Sequence, residues 1–187
     1  RLCQLDTKQI ETARVDPGIQ YIDYALWHRE QLDAASLEIL LDYWRQKLSG
    51  IPSFMDLPTD KPRPPIFNYS GAVQQVSLST AQTNKLRQFA RENEITLFML
   101  MLAIFKMLLA RYSQQSDIVV GTPVSGRNLQ EMDDIVGLFV NSVVLRTEVS
   151  GAQTFSTLLN NVRDTTIDAF EHQDLPFEKI VEMVQPE

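Results

Sequence analysis

Leu138 to Val149 read LFVNSVVLRTEV. Phe139, Val143, Leu145 and Val149 fall on one face of an extended chain, and Val140, Ser142, Val144 and Arg146 on the other. That alternation, carried largely by β-branched residues, reads as a strand. Upstream, DIVVGTPV (Asp117 to Val124) is a second β-branched run. Gly121 and Pro123 are expected to stop it, which makes it a buried strand entering a loop. The polar stretch SGRNLQEMDDIVG between the two reads as a loop with room for a short helix. Asn141 is the exception inside the second strand, on the face of Phe139 and Val143. A buried amide must find hydrogen-bond partners, either neighbouring backbone that it fixes or a polar channel that it lines. The sequence leaves both open.

Helical patterns surround the two strands. SLEILLDYWRQKLSG places Leu37, Leu40, Leu41, Trp44 and Leu48 on one stripe, with Ser36 as the expected N-cap and Gly50 just past the end. IPSFMDLPTDKPRPP holds five of the nine prolines, so an extended surface connection is expected there. GAVQQVSLS alternates weakly, with Val76 and Leu78 on one face, and reads as a strand. Ser79 or Thr80 caps the next helix, and Thr96 caps an apolar one from Leu97 to about Tyr112. The run LFMLMLAIF, followed by Lys106, falls short of the ~20 residues a membrane span needs. It is expected to be a helix buried on nearly all sides. Leu158, Leu159, Val162, Thr166 and Phe170 have helical spacing, and PFEKIVEMV starts a last helix with Pro176 in its first turn. The order of elements predicts a mixed α/β layer fold.

The chain has 187 residues, 44% hydrophobic and 22% charged, with a net charge of −7. A general affinity for nucleic acid or anionic lipid is not expected at that charge. The single cysteine, Cys3, forms no disulfide within the chain, which fits a reducing, cytoplasmic setting. RLCQLDTKQIETARVDPG has no apolar core of a signal peptide, and the absence of an initial Met suggests an internal piece.

Few residues suggest chemistry. One cysteine and two distant histidines build no Cys/His zinc site. GTPVSG matches neither common phosphate-loop spacing. His172 and Asp174 in EHQDLPFEKIVEMV look like a base and its orienting acid. Positions two apart do not face each other on a helix, however. Asp174 is better used as a cap for the helix of Pro176, Phe177 and Glu178, with Phe177, Ile180 and Val181 packing inward. His28 lies in YIDYALWHRE, where Tyr21, Tyr24 and Trp27 recur every third residue. Such a stripe reads as packing.

Three segments, YIDYALW (Tyr21 to Trp27), VGLFVNSVVLR (Val136 to Arg146) and HQDLPFE (His172 to Glu178), resemble signature motifs of nonribosomal peptide synthetase condensation domains, in the family's order. LPTDKPRPP, TLFMLMLAIFKMLLARYS and DIVVGTPVSGRN also look typical, and the likeness extends from about Tyr21 to Glu187. The resemblance implies an α/β fold, one lobe of a chloramphenicol-acetyltransferase-like acyltransferase with a mixed sheet and flanking helices. It casts residues 1–35 as the crossover between two lobes and residues 36–187 as part of the C-terminal lobe. It implies a tunnel between the lobes, entered from opposite ends by phosphopantetheine arms on donor and acceptor carrier proteins. An adenylation domain would lie beside it, with no cofactor bound directly, and no nucleic acid or membrane as partner.

The resemblance also assigns residues. Gly121, Ser125 and Arg127 of GTPVSGR, with Asn141 and Ser142, would border the tunnel. Ser125 would hydrogen-bond an amine or a pantetheine amide, and Gly121 would let a chain pass close. Tyr21, Asp23, Trp27, His172, Asp174 and Pro176 would be structural, since His172 is not the family's catalytic histidine. That histidine lies in an H-H-x-x-x-D-G motif, and this chain contains no two adjacent histidines. The resemblance therefore implies that the piece alone is inactive. Two alternatives remain at this stage: a non-catalytic module that binds carrier proteins or holds neighbouring domains, and a same-fold acyltransferase using a diffusible acyl thioester. Epimerisation and cyclisation relatives fit VGLFVNSVVLR less well.

Overall fold

The computed structural model describes residues 18–62, 66 and 71–184. Cys3, Pro64, Pro65 and residues 1–17 of the proposed crossover segment lie outside them. Helix α1 spans Tyr21–Gln31 and opens where the Asp23 carboxylate accepts from the Gln20 amide at 2.8 Å. Helix α2 spans Ala34–Leu48. Its cap is Asp33 and not Ser36. The Asp33 carboxylate takes the Ser36 amide at 2.8 Å, so the helix starts three residues earlier, on two alanines. Gly50 follows its end at φ +68.

Helix α3 spans Thr80–Glu92 and starts at a reciprocal Ser79–Gln82 capping box. Helix α4 spans Leu97–Ser113, capped by Thr96 at 3.2 Å from the Met99 amide. Strand β1, Asp117–Val124, and strand β2, Asn141–Glu148, form one antiparallel pair. A single 3₁₀ turn, Gln130–Met132, lies between them. Helix α5 spans Phe155–Glu171, capped by Thr154, and α6 spans Phe177–Val184.

The register sets Asp117 opposite Glu148 and Val124 opposite Asn141. Val143, Leu145 and Thr147 of β2 are buried, as the alternation in its sequence requires. β1 does not stop at Gly121 or Pro123 but runs through both, and only Ile118 is fully covered. Pro123 has no N–H to donate, so it is tolerated where that ladder position needs none. The core joins α2, α4, α5, α6 and β2, with Trp44, Leu100, Leu145, Leu158 and Val162 at its centre. A small second cluster of Met132, Ile135 and Phe139 receives Tyr24 from α1.

Three sequence expectations change. Residues 71–79 form no strand: Val73 is 89% and Val76 84% exposed. No described strand pairs with them, and a weakly alternating run has no conformation of its own without a partner. The expected mixed sheet is represented by the one antiparallel pair. The apolar helix α4 is buried on one side only. Met99, Leu100, Leu102, Ala103 and Lys106 face the core, whereas Phe98, Met101, Ile104, Phe105 and Leu108 are exposed. An all-apolar sequence cannot show which side a neighbour covers. In α6, Ile180 is buried as expected but Phe177 and Val181 are exposed. Met183 and Val184 pack inward with Ile180 at three- and four-residue spacing, and Leu175 joins them from just before the helix.

Candidate functional site

Asn141 opens β2 on its core face and reaches the junction between α5 and α6. Its Nδ2 donates to the carbonyls of Gln173 at 2.7 Å and Leu175 at 2.8 Å, and its Oδ1 accepts from the Phe177 amide at 3.0 Å. Both ends of the amide are thus spent on backbone. Of the two readings open in the sequence, this is the one that fixes neighbouring backbone. It also supplies the cap of α6 that was expected from Asp174. The Asp174 carboxylate instead accepts from Asn128 Nδ2 at 2.9 Å, tying the junction to the loop after β1. A side chain from β2 captures the helix amide while the Asp174 carboxylate, at the usual capping distance of three residues, is turned to Asn128.

The junction also absorbs His172. Its Nδ1 lies 2.7 Å from the Asp168 carbonyl and so carries its proton there. Its ring stacks on Tyr43 at 3.6 Å and 6°, and its carbonyl accepts from Trp44 Nε1 at 3.1 Å. Burial, then the Asp168 and Glu171 carboxylates, push the Tyr43 phenol up beyond its ordinary range, so it stays a neutral stacking partner. His172 and Asp174 do not act as a pair.

Helix α1 meets the segment leading into β2 through aromatic rings. Tyr21 donates its hydroxyl to the Leu138 carbonyl at 2.8 Å and sets its ring edge-on to Phe139 at 5.3 Å. Tyr24 lies 4.5 Å from the same ring. Trp27 extends the stripe 6.1 Å beyond Tyr24 and stays partly exposed. The segments around Tyr21, Asn141 and His172, far apart in sequence, therefore meet in one continuous junction.

The five residues assigned to the passage are divided by it. Gly121 and Ser142 lie on the outer face of the β-pair, away from the core, and a Cβ added to Gly121 would meet nothing within 4 Å. Ser125 is exposed just past β1, beside the Val124–Asn141 pair, and its Oγ accepts from the Arg127 amide at 3.4 Å. Arg127 and Asn141 turn inward. The Arg127 guanidinium donates to the carbonyls of Met132 and Ile135 and lies 4.0 Å over the Phe139 ring. A separate cleft of about 500 Å³ between α1, α2 and the loop is lined by Tyr24, Trp27, His28, Leu129, Met132 and Asp174, and by none of those five.

Two cations carry structure that the sequence patterns did not point to. Lys106 is wholly buried and donates to the Leu145 carbonyl and to Thr147 Oγ1, both at 2.7 Å. Burial lowers its pKa to about 7, with Asp117 opposing. A lone lysine inside an apolar helix was the available signal. Arg146 grips the Asp117 carboxylate at 2.8–3.1 Å and caps α2 through the carbonyls of Lys47 at 3.0 Å and Ser49 at 2.7 Å. That ion pair raises its already high pKa.

Known proteins resemble this chain in sequence and fold. Residues 3–187 match the family model described as Condensation domain, and the chain belongs to that family. It is 48% identical over 90% of its length to a linear gramicidin synthase of Brevibacillus parabrevis, of which it covers 3%. It is 41% identical over 90% of its length to phosphinothricin tripeptide synthetase PhsC of Streptomyces viridochromogenes, of which it covers 16%. Among solved structures it resembles the X-domain from teicoplanin biosynthesis, with a TM-score of 0.83 and 28% identity over 92% of this chain and 40% of that one. SgcC5 from Streptomyces globisporus gives a TM-score of 0.77 and 31% identity over 90% of this chain and 38% of that one. The chain thus spans a small part of the curated relatives and under half of the solved ones. Its fold is one lobe of the chloramphenicol-acetyltransferase-like α/β architecture of condensation domains.

Proposed function

We propose that this chain is part of a condensation domain that forms peptide bonds between thioesters held on carrier proteins. Residues 1–35 lead across from a partner lobe, and residues 36–187 contribute to the C-terminal lobe. The supporting observation is that the three signature segments meet at one junction, directly beside the turn that bears Ser125. The printed names of the relatives, a gramicidin synthase and a tripeptide synthetase, favour peptide synthesis as the setting.

The chemistry joins an acceptor amine to a donor thioester carbonyl. The C–N bond forms as the C–S bond breaks, and the amine proton leaves with the thiol. A neutral amine is already nucleophilic, so holding the two tethered reactants end to end supplies most of the advantage. Here Gly121, Ser142 and Ser125 offer an open wall past which a phosphopantetheine arm can run, with the Ser125 hydroxyl as a hydrogen-bonding group. His172 is committed to Asp168 and Tyr43, and the chain has no adjacent histidine pair, so the group that takes the proton belongs to the partner lobe. The implied partners are donor and acceptor carrier proteins and an adenylation domain, in the cytoplasm.

The test is peptide formation by the complete condensation domain with loaded donor and acceptor carrier proteins, comparing Ser125→Ala with the unmodified domain. A rate loss of about tenfold or more is expected if the hydroxyl holds a reactant in line. Unchanged turnover removes Ser125 from the wall. Turnover with a free acyl thioester, but none with loaded carriers, replaces the proposal with a diffusible-substrate acyltransferase.

A further inference from the structure

We propose that Arg127 is a positioning residue for the turn that carries Ser125, and that Tyr21 of α1, acting through Phe139, sets where Arg127 stands. This rests on the reading above, in which that turn borders the passage.

Arg127 is not free to bind an incoming group with its full fork. Nη1 is held by the Met132 carbonyl and Nη2 by the Ile135 carbonyl at 2.9 Å, and the guanidinium plane lies over Phe139 at 4.0 Å. These contacts draw the loop between the strands back onto its own start. Phe139 is buried and is also held by Tyr21, in a T-shaped contact at 5.3 Å, and by Tyr24 at 4.5 Å. Tyr21 is in turn anchored by its hydroxyl to the Leu138 carbonyl at 2.8 Å.

Two glycines show how little slack the arrangement has. Gly126 takes φ +65, and a Cβ there would lie 1.9 Å from the Phe139 carbonyl oxygen. A Cβ on Gly137 would lie 2.1 Å from the Tyr21 ring. Backbone meets backbone at one end of the loop, and backbone meets ring at the other. A shift of α1 therefore passes through Phe139 to Arg127.

Ser125 follows Arg127. Its Oγ accepts from the Arg127 amide at a long 3.4 Å, a neutral bond weaker than the charge-assisted bonds of the guanidinium. The turn yields before the brace does. Transfer between two tethered reactants depends on alignment at the scale of ~1 Å, so the brace acts on rate more than on carrier-protein binding.

The experiment uses the complete condensation domain with loaded carrier proteins, in single turnover. The variants are Arg127→Gln, Arg127→Lys, Tyr21→Leu, Tyr21→Phe and the Tyr21→Leu/Arg127→Gln double variant. Amide hydrogen exchange of residues 128–138 gives a readout independent of activity. Arg127→Gln is expected to lower the rate at saturating carrier protein by ~10-fold or more. The half-saturating carrier concentration is expected to stay unchanged, and Arg127→Lys to recover part of the loss. Tyr21→Leu is expected to mimic Arg127→Gln. The double variant is expected to be no worse than the poorer single one, because the two residues act on one element. Exchange over 128–138 should speed up in both singles. Tyr21→Phe, which removes only the hydroxyl, serves if Tyr21→Leu does not fold.

Losses that multiply, a raised half-saturating concentration at unchanged rate, or unaltered exchange would each overturn the brace. If exchange responds jointly to Tyr21 and Arg127 while Ser125→Ala leaves turnover intact, the brace stands and the passage reading falls.

Discussion

Lys106 Nζ and Thr147 Oγ1 lie 2.7 Å apart in a site closed to solvent, where the lysine tethers α4 to β2 without a carboxylate hydrogen-bonded to it. The Leu145 carbonyl is its second acceptor. A neutral amine has two N–H donors, enough for both acceptors, whereas the ammonium leaves one proton unpaired in the core. The burial that lowers the pKa to about 7 therefore has a visible cause.

The sign of the pH dependence follows. Between about pH 7 and 10.5, the unfolded chain holds the Lys106 proton and the folded chain does not. Folding then releases a proton, and stability rises with pH across that window. Below about pH 7 both states are protonated, and this contribution to the slope vanishes. Denaturant midpoints measured between pH 6.5 and 10 should climb in the unmodified chain and climb less in Lys106→Met. Equal slopes would remove Lys106 from the account.

Asn141→Ala leaves the Phe177 amide and two carbonyls without their partner. A loss of roughly 1–3 kcal/mol is expected in chemical denaturation. Asn141→Asp keeps the acceptor for Phe177 but sets a carboxylate against the Gln173 and Leu175 carbonyls. Its deficit should shrink as pH falls and the carboxyl gains a proton. A deficit independent of pH would mean that the donor side of Asn141 carries little.

His172→Phe tests whether the imidazole matters chemically. The stack on Tyr43 is retained and the bond to the Asp168 carbonyl is lost. The expected cost is about 0.5–1.5 kcal/mol of stability, with condensation turnover unchanged in the complete domain. A folded His172→Phe domain without turnover would make the residue chemical after all.

Gly137→Ala drives a methyl into the Tyr21 ring, whose nearest atom would lie 2.1 Å away. Overpacking of this kind costs roughly 1–3 kcal/mol. The strain should appear as loss of the Tyr21–Leu138 bond, read by faster exchange along α1. In a Tyr21→Ala background, which lacks the ring, Gly137→Ala should cost almost nothing further.

The exposed side of α4, with Phe98, Met101, Ile104, Phe105 and Leu108, makes self-association of the isolated 187-residue chain the expected outcome. Sedimentation velocity at increasing concentration should show it. Leu108→Glu should reduce it without lowering the unfolding midpoint, because Leu108 is half exposed.

Local conformation was written in the order of residues. Thr96 and Ser79 cap helices because their hydroxyls sit three residues before an orphan amide, and β2 alternates because a strand turns over every second residue. The segments around Tyr21, Asn141 and His172 were legible as family signatures on the same footing, as short patterns along the chain. Partnerships across long separations came from packing. Asn141 satisfies a helix amide 36 residues away, Lys106 reaches a carbonyl 39 residues away, and residues 71–79 stay unpaired although their pattern suits a strand. A side chain's neighbours along the chain fix its backbone angles. Which buried donor meets which acceptor depends on how helices and strands pack, and no pattern within one element encodes that.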